Sequence, residues 1–300
     1  MPQQNSLEEL RKLSVIVADT GEISLIKKLK PEDATTNPSL ILKAASKEEY
    51  QYIIESAVKW AKKRQGSQAE LAEDVMDRLA VNFGLEILKY IPGYISTEVD
   101  AGLSFNTDAT VKRAEKIIRI YESEGIERER ILIKIAATWE GACIRTGGGV
   151  PDFAVCRRIL DWYKEKHKTE QIAPADDPGV EFVRSVYTYY KTHSYQTVVM
   201  GASFRNTGEI TELAGCDRLT ISPALLDELA ASQATVPQKL SPSVVSKQPK
   251  RKNYNESDFR NEFNDNLMAV EKLAEGIMNF KKDYRTLLNA VSAKYLLNRL

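Results

Sequence analysis

Cysteine and histidine are scarce in this chain of 300 residues, with Cys143, Cys156 and Cys216 as the three thiols and His167 and His193 as the two imidazoles. No pair of them has CxxC spacing, and together they make no metal-ligand pattern, so a structural zinc fold is excluded. An odd number of thiols without a framework spacing fits a reducing compartment. Long apolar runs are missing too: no stretch approaches the about 18 uninterrupted apolar residues of a membrane helix. Residues 1–10 carry acids and glutamines where a secretory signal would be apolar. Excess charge of either sign is also lacking, since 42 Lys plus Arg balance 42 Asp plus Glu. No global field therefore draws the chain to nucleic acid or to an anionic membrane, and any phosphate binding has to be local. The expectation is a soluble cytoplasmic protein, one domain over residues 1–300, large enough for a sizeable core.

The most informative stretch is Ile131-Leu132-Ile133-Lys134-Ile135-Ala136-Ala137-Thr138. Its two faces are both mostly apolar, the mark of a strand covered on both sides in a parallel sheet. Lys134 then sits among aliphatic groups. Desolvation disfavours its charged form, and a free amine becomes available to attack a carbonyl, which is Schiff-base chemistry. The alternative is a lysine that snorkels past the strand end or pairs with a carboxylate.

The rest of the chain repeats strand and helix patterns. Leu7, Leu10 and Leu13 precede an apolar strand over 15–18 that ends at Asp19-Thr20-Gly21. A second short strand runs into Thr36-Asn37-Pro38, where the proline pushes Asn37 out of helical conformation and presents it in a loop. Ser46 and Glu49 have capping-box spacing ahead of a helix reaching Trp60. Residues 71–90 are helical around Gly84, and Ile95 to Asp100 alternate, with Ser96, Glu98 and Asp100 on one face. Val111 to Tyr121 form an amphipathic helix closed by Gly125, before the lysine strand. That order predicts parallel strands with right-handed crossovers.

Residues 141–157 show neither period, and Gly147-Gly148-Gly149 before Val-Pro suits a mobile loop; a phosphate cradle there lacks both glycine-loop motifs. Helices follow over 159–163 and 180–190, then strands over 197–206 and 218–222. Residues 232–257, rich in Ser, Pro, Gln and Lys, read as a surface crossing whose basic run 247–252 is a solvated loop or a polyanion patch. One long helix over 258–297 closes the chain, carrying Val270, Leu273, Ile277, Phe280, Tyr284, Leu287, Val291 and Tyr295 at helical steps.

Strand ends thus offer Asp19, Asn37, Glu98 and Lys134, and a later one Arg205. In a parallel barrel such ends converge on the face where catalytic groups collect. Lysine would attack a ketone, the acids would move protons, and arginine would grip a phosphate.

The motifs Val-Ala-Asp-Thr-Gly (17–21), Thr-Thr-Asn-Pro-Ser-Leu (35–40), Ser-Thr-Glu-Val-Asp-Ala (96–101), Leu-Ile-Lys-Ile-Ala-Ala-Thr-Trp-Glu-Gly (132–141), Arg-Ile-Leu-Asp-Trp-Tyr (158–163), Gly-Ala-Ser-Phe-Arg-Asn (201–206) and Leu-Thr-Ile-Ser-Pro (219–223) together resemble the transaldolase family. The resemblance implies a TIM-type (α/β)8 barrel, usually a homodimer, that moves a dihydroxyacetone unit between sugar phosphates of the non-oxidative pentose phosphate pathway. It implies Lys134 as the imine-forming nucleophile, Asp19 as the base on the C4 hydroxyl, and Glu98 as the residue serving a water relay. It also implies Asn37 and Ser203 as substrate-holding groups, Arg205 and Arg158 as phosphate ligands, and no metal or organic cofactor.

Two departures stand out. Residues 141–157 replace a longer family segment, so by resemblance about two central strands, the fifth and sixth, are missing, along with a threonine beside the relay water. Gly102 and Asn106 stand where the family usually has arginine and aspartate. Three classes stay open at this point: an active transaldolase, a simple ketose-phosphate aldolase, and a catalytically impaired sugar-phosphate binder.

Overall fold

The computed structural model describes residues 4–144, 153–156, 159–168, 172–243 and 253–296. α1 (Ser6–Arg11) starts at Asn5, whose side chain accepts the Glu8 amide at 2.9 Å, and leads into β1 (Val15–Asp19). α2 (Ile23–Leu29) and β2 (Asp33–Thr35) follow. Pro38 opens α3 (Pro38–Ala45), a first-turn position where its missing amide costs nothing. α4 (Gln51–Ala61) precedes α5 (Gln68–Leu88), which begins with a reciprocal Ser67–Glu70 capping box.

Next come β3 (Ile95–Glu98), α6 (Thr107–Ser123), β4 (Ile131–Lys134) and the single turn α7 (Trp139–Ala142). β5 (Phe153–Cys156), α8 (Ile159–His167) and α9 (Pro178–Thr192) lead to β6 (Val198–Gly201) and α10 (Thr207–Thr211). The described chain ends with β7 (Arg218–Ile221), α11 (Pro223–Ala231), α12 (Glu256–Asp265) and α13 (Leu267–Val291). None of the described helices is long and apolar enough to cross a membrane.

The chain divides into two compact units, and it passes between them five times, so neither is a contiguous piece of sequence. The first holds Met1–Asp19, Pro31–Asp33 and Gly148–Lys272. There β1, β7, β6 and β5 are neighbours in that order, all parallel, with Ile16 beside Leu219 and Gly201 beside Leu219 on its other side. Its buried residues include Leu10, Ile16, Val199, Leu219 and Leu226. The second holds Thr20–Lys30, Ala34–Gly147 and Leu273–Leu300. There β2, β3 and β4 are parallel neighbours, with Thr35 beside Ser96, Ser96 beside Leu132 and Glu98 beside Lys134. Ile53, Leu79, Phe83, Ile95, Ile117 and Tyr121 are buried in it.

Several expectations are corrected. The lysine strand stops at Lys134, so the lysine ends β4 instead of sitting at its centre. Residues 153–156, expected to lie in an aperiodic loop, form β5 beside β6, because pairing to a neighbour supplies what periodicity does not. Ser46 does not open the next helix: it is the C-cap of α3, its hydroxyl donates to the Lys43 carbonyl at 2.7 Å, and a short 3-10 turn separates it from α4. The closing helix is two, because Asn266 leaves helical conformation at the end of α12 and its side chain accepts the Ala269 amide of α13 at 3.1 Å. Helices α2, α3, α10 and α11 go unseen in the sequence, each being short; α3 and α10 open on a capping asparagine, and α3 and α11 on a proline. The basic run 247–252 lies outside the described residues.

Thiol reactivity follows from this burial. Cys216 is fully buried, its Sγ donates to the Val199 carbonyl at 3.4 Å, and burial pushes the thiol up to about 12. Cys143 is exposed. Iodoacetamide at pH 8 is therefore expected to alkylate Cys143 in the native protein and to reach Cys216 only after unfolding. Peptide mapping showing equal labelling of both in the native state would contradict this packing.

Candidate active site

Side chains on adjacent parallel strands in register point the same way, and two residues further along they do so again. Thr35, Ser96 and Leu132 form one such row in the second unit. Two residues on, the row reads Asn37, Glu98 and Lys134. This is the whole reason that three residues scattered over about a hundred positions share one strand-end face.

The row is tightly made at Glu98 and Lys134, which are direct register partners. Lys134 Nζ lies 3.4 Å from Glu98 Oε2, with the lysine side chain 20% exposed and the glutamate 9%. The amine is thus accessible and has a carboxylate at hand. Of the two readings of Lys134, the structure places it at a strand end in an ion pair, not in an aliphatic interior. Thr97, between Ser96 and Glu98, faces the opposite way, where its hydroxyl shares a 2.7 Å hydrogen bond with that of Tyr121 on α6. That bond is buried and fixes the strand against its helix.

Asn37 has the extended, non-helical backbone expected before Pro38, in the short connection between β2 and α3, but it is buried rather than presented. Its Oδ1 accepts the Leu40 amide at 2.9 Å, so the side chain caps α3 while standing in the row. Asn37, Glu98, Asp77 and Asp100 line a cavity of about 40 Å³ together with Tyr284 of α13. Asp77 is held by Arg113, with Nη1 at 2.9 and 2.8 Å, and by Lys116 at 2.6 Å. Burial pushes the Asp77 carboxyl up, against the pull of both cations.

In the first unit, Asp19 ends β1. Past the end of β6, Ser203 has φ +62, a left-handed conformation unusual for a residue with a side chain. Arg205 Nη1 donates to the Ser203 carbonyl at 2.7 Å, and Nε donates to Asp161 on α8 at 3.0 Å. A second guanidinium nitrogen, Nη2, also donates to Asp161. The Asp161 carboxylate, at the head of these contacts, raises the arginine above its ordinary range. Arg205 remains 38% exposed, a preset fork suited to an anion with oxygens in a plane. Arg158 lies outside the described residues.

Comparison with known proteins then decides the lineage. The sequence matches the family described as Transaldolase/Fructose-6-phosphate aldolase over residues 16–145 and 156–291. The chain belongs to the transaldolase/fructose-6-phosphate aldolase family. Among similar proteins, a transaldolase of Shewanella amazonensis is 50% identical over 315 residues, covering 97% of this chain and 99% of that protein. One from Shewanella piezotolerans is 52% identical over 306 residues, covering 93% of this chain and 95% of its own length. Membership implies a TIM-type barrel, and the parallel strands of each unit accord with it.

Within this transaldolase/aldolase framework, the departures can be placed. The match breaks off after residue 145 and resumes at 156, inside the stretch that the sequence marks as unlike the family. Asn106 accepts the Ala109 amide at 3.0 Å and caps α6, a position where asparagine and aspartate serve about equally. Two site residues escaped sequence reading. Asp161 lies within the motif 158–163 but signals nothing without Arg205 beside it. Tyr284 counts there as one more core position, although a hydroxyl on an apolar stripe is the clue that its tip has a polar destination.

Proposed function

We propose that this chain is a transaldolase that carries a dihydroxyacetone unit between sugar phosphates through an imine on Lys134. The observation supporting this most directly is the in-register pair of Lys134 and Glu98, with the amine 3.4 Å from the carboxylate at the strand-end face. The neutral amine adds to the ketose carbonyl carbon, and the nitrogen's proton passes to the carbonyl oxygen. A second proton, delivered through Glu98 and water, lets that oxygen leave as water and leaves a protonated imine. Asp19 takes the proton of the C4 hydroxyl, the C3–C4 bond breaks, and its electron pair flows into the imine. An acceptor aldose phosphate then takes the carbon by the reverse sequence, and water releases the lysine. The imine is the electron sink, so the reaction calls for no metal or organic cofactor. Asn37 holds a substrate hydroxyl through its amide nitrogen, Ser203 lines the substrate, and Arg205 takes the phosphate with Arg158, exchanging Asp161 for phosphate oxygens.

The same reading makes residues 1–300 one barrel domain of a cytoplasmic homodimer. It lacks about two strands of the eight-stranded pattern, the fifth and sixth, in the region where the family match is interrupted; β5 occupies that region. A simple ketose-phosphate aldolase is the second reading, favoured by the family description itself, which joins both activities.

Incubation with fructose 6-phosphate and borohydride is expected to add a reduced dihydroxyacetone or ketose phosphate mass to the peptide bearing Lys134. A mass elsewhere, or none, overturns the assignment of the nucleophile. Omitting the acceptor separates the readings: the transaldolase turns over only when an aldose phosphate is supplied, whereas the aldolase releases free dihydroxyacetone without one.

A further inference from the structure

The cavity beside Glu98 contains a group that the proposed reaction has not used. Tyr284 of α13 lines it together with Asn37 and Glu98, and its buried hydroxyl makes no hydrogen bond among the described residues. A buried phenol left without a partner costs about 1–3 kcal/mol, so its persistence calls for a partner of another kind. The cavity, at about 40 Å³, exceeds the roughly 15 Å³ that one water requires, and the polar residues Asn37, Asp77, Glu98 and Asp100 are among those lining it. Nor is the tyrosine loosely placed. The preceding residue, Asp283, accepts a hydrogen bond from Ser39 of α3, the helix that Asn37 caps, and Leu287 one turn on is buried. The charged groups around the hydroxyl are Glu73 and Asp77 from α5, Asp100 after β3, and Arg113 from α6, and burial pushes the phenol up so that it stays a donor.

We propose that the Tyr284 hydroxyl holds water in this cavity against Glu98 and so positions the proton path that serves imine formation on Lys134. This rests on the transaldolase reading above. In this role Tyr284 acts through the water and Glu98; it is a positioning residue. Glu98 takes the ammonium proton as the Lys134 amine is freed; the water then accepts that proton from Glu98 as it gives one of its own to the departing oxygen, and the reverse sequence on imine hydrolysis restores the path each turnover.

Tyr284→Phe keeps the ring and removes only the hydroxyl. The expected result is a kcat for dihydroxyacetone transfer lowered on the order of tenfold, a fraction of what a full acid–base group contributes. KM for fructose 6-phosphate should stay within about twofold, the solvent deuterium isotope effect on kcat should rise, and the rate of borohydride trapping at Lys134 should fall in step. A merely structural tyrosine would not move the isotope effect. Trapping in the parent at a rate unchanged in Tyr284→Phe, with the same isotope effect, overturns this inference alone. No trapping in the parent overturns the transaldolase reading and this inference with it.

Discussion

Lys134→Met is expected to lower kcat/KM for dihydroxyacetone transfer by roughly 10⁴ or more and to abolish the borohydride adduct, while the far-ultraviolet circular dichroism stays that of the parent. Methionine preserves the length and most of the volume of the side chain, so packing at the end of β4 changes little. What is lost is the one amine in register with Glu98. Glu98, its side chain 9% exposed, then stands beside a thioether instead of a cation at 3.4 Å. Glu98→Gln keeps the nucleophile and removes the proton carrier, so it should slow turnover by about 10² while an adduct still forms, only more slowly. A Lys134→Met protein retaining a tenth of the parent rate would mean that the imine is not on the reaction path.

Gly84→Ala is the second large effect, and it acts on stability. In the middle of α5 an added methyl would sit 1.8 Å from the Tyr121 hydroxyl and 2.8 Å from the ring carbon bearing it, and Tyr121 is fully buried. Alanine is the better helix former by about 1 kcal/mol, but the clash outweighs it, because overpacking a rigid core costs about 1–3 kcal/mol or more. The tyrosine has nowhere to go: its hydroxyl is bonded at 2.7 Å to Thr97, the residue before Glu98. Tyr121→Phe removes the nearest clashing atom, leaving the ring carbon at 2.8 Å, and strands the threonine hydroxyl, at about 1–2 kcal/mol. In the double variant one change relieves the other, so its cost should fall short of the sum by at least about 1 kcal/mol in urea unfolding. A Gly84→Ala protein as stable as the parent would show that α5 and α6 do not meet as described.

The two predictions also mark what could be read from residues alone. Lys134, Glu98, Asn37 and Asp19 were each legible as strand-end groups: Lys134 as the one charge in an apolar run, Glu98 from alternation, and Asp19 and Asn37 from the turn or proline that follows. That Glu98 and Lys134 are direct neighbours was not legible, since register depends on which residues of two strands 36 positions apart come level. Asn37 illustrates a different gap. Its proline neighbour pointed correctly to a non-helical backbone, but the same proline is also the first residue of a helix, so Asn37 became the buried cap of that helix. Gly84 could be seen as an irregularity in a helix but not as the space occupied by Tyr121.

Composition and spacing by themselves determined that the chain alternates strand and helix, carries an amine and acids at strand ends, and has no thiol or histidine set for a metal. These are local properties, written in periods of two and 3.6 and in single residues out of pattern. The tertiary structure alone decided which of those residues share a face, that Lys134 is an accessible strand-end amine beside a carboxylate, that Asp161 holds Arg205, and that Tyr284 reaches the cavity at Glu98. Contacts between residues far apart in the chain depend on register and helix packing, and neither leaves a mark on the sequence near the residues that meet.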